Sequence, residues 1–287
     1  MLSRRDFVLG TGAFSVATAP GRMCLAMQGA APLVRFGVVT DVHYADRATS
    51  SGGIDYRSAL GRLRTALSVF EERGLDFVVE LGDFKDNSGS VAATLAKLDE
   101  MEGVFAAFSG AHYHVLGNHD TDVLTKAEFL SHISNTGFAA AQPYYSFVRG
   151  GVTFVVLDAN YNSDSDSDHY SRGNWNWKVA YVPPVERAWL RDALSGAPGP
   201  VVVFCHQRLD AASPADYAVA NASVVREIME TSGKVIGVFA GHQHADVRSN
   251  ANGICHHTLP SLAQQGTFYE VGCYPFGVSL FRRSVQP

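Results

Sequence analysis

Charge is scarce in this chain. Asp, Glu, Lys and Arg make up 18% of its 287 residues, against 46% hydrophobic. That balance excludes intrinsic disorder, which goes with high net charge and few apolar residues. No run of Lys or Arg occurs and the net charge is −5. The basic face of a nonspecific nucleic-acid binder is therefore missing, and no specific nucleic-acid binding is expected. Cysteine is equally sparse: Cys24, Cys205, Cys255 and Cys273 are too few and too scattered for a disulfide framework or a thiolate zinc site. No apolar run is long enough for a stable membrane span in the mature protein. What remains is ordinary globular composition, with enough chain for one large α/β domain and a substantial core.

The first residues stand apart. Ser3-Arg4-Arg5-Asp6-Phe7-Val8-Leu9, followed by a Gly/Ala-rich stretch to Ala19, resembles a twin-arginine export signal. Pro20 disfavours cleavage after Ala19, which moves the expected cut to between Ala26 and Ala31. The expected organisation is a signal over residues 1–31 and one domain over 32–287. The resemblance implies a periplasmic or secreted protein, with the twin-arginine export machinery as a partner.

Beyond the signal, strand and helix patterns alternate. Apolar runs at Val34–Thr40, Phe77–Leu81, Tyr113–Leu116, Val201–Cys205 and Val235–Ala240 predict buried strands. Tyr56–Arg73, Val91–Phe108, Pro184–Leu194 and Val219–Glu230 predict helices. Tyr144–Val148 and Val152–Asp158, either side of Arg149-Gly150-Gly151, predict a hairpin. The tail from Val247 to Phe281 predicts short strands and loops. Asn160–Tyr181 is long, polar and aromatic, and breaks the scheme. Its Ser/Asp half predicts a surface loop, and its Trp-Asn-Trp half either core packing or substrate contact.

Five polar segments fall just past predicted strand ends: Asp41-Val42-His43, Gly82-Asp83-Phe84-Lys85-Asp86, Gly117-Asn118-His119-Asp120, His206, and Gly241-His242-Gln243-His244. Loops at the carboxyl edge of an open α/β sheet converge on one site. Carboxylates, imidazoles and an amide there suit borderline metals such as manganese, iron or zinc. Any one of these strings is commonplace, but their order as a set is informative.

That ordered series resembles the calcineurin-like metallophosphoesterase family. The resemblance implies an α/β fold, a four-layer α/β/β/α sandwich, and a metal-dependent phosphoric ester hydrolase using two divalent or trivalent ions. It assigns Asp41, His43, Asp83 and His244 to one ion. Asp83, Asn118, His206 and His242 fall to the other, with Asp83 bridging. His119 would then protonate the leaving oxygen and Asp120 would orient it, while Asp86 would brace the site from behind the ligands.

The substrate is less determined. A small-molecule phosphoester, monoester or diester, is expected. Arg57 and Arg208 are candidate phosphate anchors because a guanidinium donates two hydrogen bonds in one plane. Trp175 and Trp177 are candidate substrate contacts. The arrangement Asp46 with Tyr56-Arg57-Ser58 resembles the manganese-dependent ADP-ribose/CDP-alcohol diphosphatase branch, although His43 stands where that branch carries glutamine. Ester and pyrophosphate bonds both stay open. A non-catalytic binding module on the same fold is the alternative of another class, and the intact ligand set speaks against it.

Overall fold

The apolar runs that end in polar motifs become strands buried on both faces. In the computed structural model, which describes residues 31–285, β1 (Val34–Val39), β2 (Phe77–Glu80) and β3 (Ala111–His114) are parallel neighbours. A second parallel set is formed by β5 (Val152–Leu157), β6 (Val201–Cys205), β7 (Val235–Ala240) and β9 (Ile254–Thr258). β4 (Tyr145–Arg149) and β8 (Val247–Ala251) flank that set antiparallel. β10 (Thr267–Tyr274) and β11 (Gly277–Ser284) complete the first sheet, in the order β11-β10-β1-β2-β3. The segment expected to be an export signal lies, but for Ala31, outside the described residues.

Three apolar clusters define four layers. Between the sheets, Phe36 stacks on Phe77 at 4.8 Å and meets Phe154, Phe204 and Phe239 edge-on at 5.6–5.9 Å. Aromatic pairs of this kind contribute about 0.5–1.5 kcal/mol beyond area burial. α1 (Ala59–Glu72) and α2 (Val91–Phe105) cover the first sheet. Leu60, Leu63, Leu67 and Phe70 of α1 face inward at helical spacing. α4 (Pro184–Gly196) and α5 (Ala222–Ser232) cover the second sheet, and α3 (Lys126–Ser131) and α6 (Leu262–Gln265) are short connectors. The α/β/β/α sandwich is thus observed.

Some boundaries differ from expectation. α2 ends at Phe105, β3 begins at Ala111, and α5 runs from Ala222 to Ser232. The largest correction concerns the tail. Rather than short strands and loops, it holds two eight-residue strands, and β10 pairs antiparallel with β1. Glu270 and Gly272 interrupt its apolar pattern. Glu270 is nevertheless buried, because Arg35, Arg73 and Arg283 surround its carboxylate.

The loop at 160–181 is tied down along both halves. Asp166 accepts the Val185 amide at 2.9 Å and so caps α4, whose flanking Pro183 has no side-chain donor or acceptor. Asp164 pairs with Arg187, and the fully buried Tyr170 donates to the Asn176 carbonyl at 2.7 Å.

Candidate metal centre

The ligand candidates sit on backbone that other residues avoid. Six non-glycine residues among those described have positive φ, and five of them are Asp41, His43, Asp83, His242 and His244, at 48–66°. The left-handed region costs roughly 1–2 kcal/mol for a residue with a Cβ, and such strain concentrates at functional sites. It lets each side chain turn inward immediately after its strand. Close approach does the rest. A Cβ on Gly117 would lie 2.0 Å from the Asp83 amide, and one on Gly241 2.0 Å from Thr40 Oγ1.

These turns bring the donors together in two groups, Asp41 with His43 and His244, and Asp83 with His206 and His242. His244 Nε2 is 3.1 Å from both Asp41 Oδ1 and His43 Nε2. His206 Nε2 is 3.2 Å from Asp83 Oδ2 and 3.0 Å from Asn118 Oδ1. Asp83 Oδ2 also lies 3.6 Å from His43 Nε2, so one oxygen faces both groups. Its partner Oδ1 accepts the His119 amide at 2.7 Å.

Two of the imidazoles are aimed by the other nitrogen: His206 Nδ1 lies 2.8 Å from the Leu81 carbonyl and His244 Nδ1 3.1 Å from Gln264 Oε1. That pattern orients metal-binding histidines generally. His43 Nδ1 lies 3.3 Å from Asp86 Oδ2 without a hydrogen bond to any described residue. His242 Nε2 is buried with no hydrogen-bond partner, an omission that a cation would repair. Burial, reinforced by His206, pushes the His242 imidazole down to about 3, which keeps the ring neutral. Burial opposes ionisation of Asp41, but His244 and His206 outweigh it and hold the carboxyl at about 2. Imidazoles, carboxylates and an amide oxygen are a donor set that suits a divalent ion, which the histidines would bind as neutral rings.

The site opens into a cavity of about 310 Å³ lined by His43, Asp83, Asn118, His119, His242 and His244, with Trp177, Tyr217, Gln243, Gln264 and Ile54 around them. Trp177 sits 6.0 Å from the Tyr217 ring and 5.9 Å from His242. Trp175 turns inward instead. Its Nε1 donates to the Asn118 carbonyl at 2.7 Å and its ring lies 5.3 Å from His119.

A family model for calcineurin-like phosphoesterases matches residues 34–246. The chain belongs to that family. It is a metal-dependent phosphoester hydrolase. Among its relatives, a manganese-dependent ADP-ribose/CDP-alcohol diphosphatase of Oryza sativa subsp. japonica is 27% identical, covering 85% of this chain and 89% of that protein. The enzyme of the same description from Arabidopsis thaliana is 31% identical over 40% of this chain and 39% of its own length. A dimetal phosphatase structure from Danio rerio superposes with a TM-score of 0.73 at 20% identity, over 88% of this chain and 96% of that one. That likeness shows the shared fold.

Three sequence-based assignments change in this phosphoesterase. Asp120 does not orient His119. Its carboxylate accepts four backbone amides, those of Gly117, Asp83, Phe84 and Lys85, at 2.7–3.2 Å, and so staples one ligand loop to the other. Arg57 lies outside the cavity, with its side chain 62% exposed and paired with Asp46. Arg208 is buried and doubly bonded to Asp210, at 2.7 and 2.8 Å, with a further bond to Gln243. Neither arginine is free for phosphate. Tyr217, Gln243 and Gln264 were not singled out. Only Gln243, inside a motif, carried any signal.

Proposed function

We propose that this chain is an exported phosphohydrolase whose seven donors hold two divalent ions, manganese, iron or zinc, on either side of Asp83. The observation that carries this reading is the placement of Asp83 Oδ2, 3.6 Å from His43 Nε2 and 3.2 Å from His206 Nε2. Asp41, His43, Asp83 and His244 would hold one ion. Asp83, Asn118, His206 and His242 would hold the other. When bound, such ions neutralise the phosphoryl oxygens and lower the pKa of water. A water oxygen bonds to phosphorus as the bond to the leaving oxygen breaks. His119 donates the proton that the leaving oxygen needs, and the water's surplus proton passes to solvent. Asp86 and Gln264 hold His43 and His244 in register for this.

The rice relative, matched over most of both chains, favours a second reading in which the bond is the pyrophosphate of a nucleotide such as ADP-ribose or a CDP-alcohol. Trp177 and Tyr217 give the cavity an aromatic wall compatible with that. The test is a panel on purified protein with added manganese, zinc or iron: a nitrophenyl phosphate monoester, a bis-nitrophenyl diester and ADP-ribose. Preference for ADP-ribose supports the second reading, and preference for either nitrophenyl ester the first. No turnover with two ions bound would return the binding module. The export reading rests on Arg4-Arg5 and the stretch after them. Full-length protein confined to the cytoplasm on cell fractionation would overturn it.

A further inference from the structure

Two glutamine side chains line the cavity, and they are not equivalent. Gln264 is spent on the protein. Its Oε1 lies 3.1 Å from His244 Nδ1, and its Nε2 donates to the Gly52 carbonyl at 2.5 Å. Gln243 is aimed instead. Its Oε1 accepts Nη1 of Arg208. A guanidinium carries donors only, so the carbonyl end of the amide must face it. The Nε2 end is turned away from Arg208 and has no hydrogen bond to any described residue.

Arg208 holds more than this amide. Its side chain is 2% exposed, and its Nε and Nη2 donate to the two oxygens of Asp210 at 2.8 and 2.7 Å. Two parallel bonds to one buried carboxylate fix the plane of the guanidinium, and so fix the amide on Nη1. The Arg208 backbone amide also donates to the Tyr217 carbonyl at 3.0 Å, which sets the segment carrying a second lining residue. Tyr217 and Trp177 flank His242, with ring centroids 5.5 and 5.9 Å from it. Lys178 pairs with Asp216 at 2.8 Å and joins their two segments. His119 keeps other company, 5.0 Å from the His43 ring and 5.3 Å from that of Trp175. The cavity thus has a His119 side and a His242 side, and the aimed amide belongs to the second.

We propose that Gln243, aimed by the buried Arg208, is a specificity-determining donor for the substituent that stays on phosphorus. It selects an aromatic substituent bearing a hydrogen-bond acceptor, such as a nucleobase, with the ring against Trp177 and Tyr217 and the acceptor on Nε2. The inference rests on the proposed reaction, in which the leaving oxygen goes to His119. The retained substituent of a diester or pyrophosphate is then left to the His242 side. This contact is the same before and during bond breaking, so its loss raises KM rather than lowering kcat.

The test uses two diesters with one leaving group, 4-nitrophenol, and different retained groups: thymidine, through its 5′ oxygen, or phenol. Water displaces 4-nitrophenol from phosphorus in both, so only the retained group differs. Metal content is measured for every variant. Gln243→Met keeps the length of the side chain and removes the donor. The preference for the thymidine diester over the phenyl diester, as a ratio of kcat/KM, is expected to fall about 3- to 10-fold, the worth of one neutral hydrogen bond. Gln243→Glu keeps an acceptor for Arg208 and removes the same donor. It should lose the same preference, and it carries the test if Gln243→Met misfolds. Arg208→Lys keeps a cation beside Asp210 but not the fork, and should lose the preference with Gln243 still in place. A merely structural role would lower both diesters alike. An unchanged ratio in Gln243→Met with metal retained would overturn the inference. So would a wild-type enzyme that prefers the phenyl diester, or one that turns over 4-nitrophenyl phosphate and neither diester, and both would leave the hydrolase reading intact. No turnover of any of the three esters with two ions bound would remove the proposed reaction and this inference together.

Discussion

Two buried histidine–carboxylate clusters lie within a few residues of each other, and they differ in how completely they close. In the first, His114 Nδ1 is 2.9 Å from Glu80 Oε1 and His114 Nε2 is 2.9 Å from Glu102 Oε2. Both nitrogens are used inside the protein, and the backbone of His114 is ordinary β3 strand. In the second, the candidate metal centre, His206 and His244 each have one nitrogen hydrogen-bonded to a fixed group and the other among the remaining donor candidates. Most of its members also sit at positive φ. Burial and charge are similar in the two clusters. His114 has a carboxylate at each of its nitrogens, whereas His206 and His244 each leave one nitrogen among the other donor candidates.

Mutation can break the contrast at several points. The largest effect is expected from Asp83→Ala, which removes the oxygen common to both donor groups. Metal content by elemental analysis and turnover should both fall to background, and retention of either would show that the two groups do not share an ion bridge. Next is His119→Ala, which should keep metal and lose about 10²- to 10⁴-fold in kcat, the range of a missing general acid. Unchanged turnover would leave the proton donor elsewhere.

The closed cluster should answer in stability instead. His114→Phe leaves the buried Glu80 and the partly buried Glu102 without their cation and should cost about 3–5 kcal/mol in denaturant unfolding, with metal per folded molecule unchanged. A variant that lost metal first would mean the clusters are not separate. The smallest effect is a pH slope. Burial opposes the His114 imidazolium, but Glu102 and Glu80 outweigh it and push the group up to about 10. Its neighbour His112, 6.3 Å away, is pushed the other way by burial and by His114. A raised folded-state value means that this stabilisation is complete below about pH 6.5, the unfolded value. It is then lost as pH rises toward 10. The melting temperature of metal-loaded protein should decline over that window, and His114→Phe should flatten the decline.

How much of this was legible depended on whether a residue's role is local. The seven ligand candidates were readable because each follows an apolar run and the strand end alone determines where it points. Asp120 was misread because its neighbour in sequence is His119, while its carboxylate turns toward four backbone amides. Arg208 has the guanidinium that suits a phosphate, yet Asp210, two residues on, already holds it. Tyr217 and Gln264 lie where no pattern marks them. Their roles come from how loops pack, which periodicity does not encode. The β10 strand was missed for a related reason, since a buried Glu270 looks like a loop residue until its arginines are known.

The pairing of β10 with β1 has a consequence for biosynthesis. β1 emerges early from the ribosome, yet one of its edges stays bare until Tyr274 has been made. Asp41 likewise waits some two hundred residues for His244, its partner at 3.1 Å. Neither the first sheet nor the site is complete until those later residues have been made. A protease that cuts between His244 and Gln264 would separate from the site an inner strand of that sheet together with Gln264, which steadies His244.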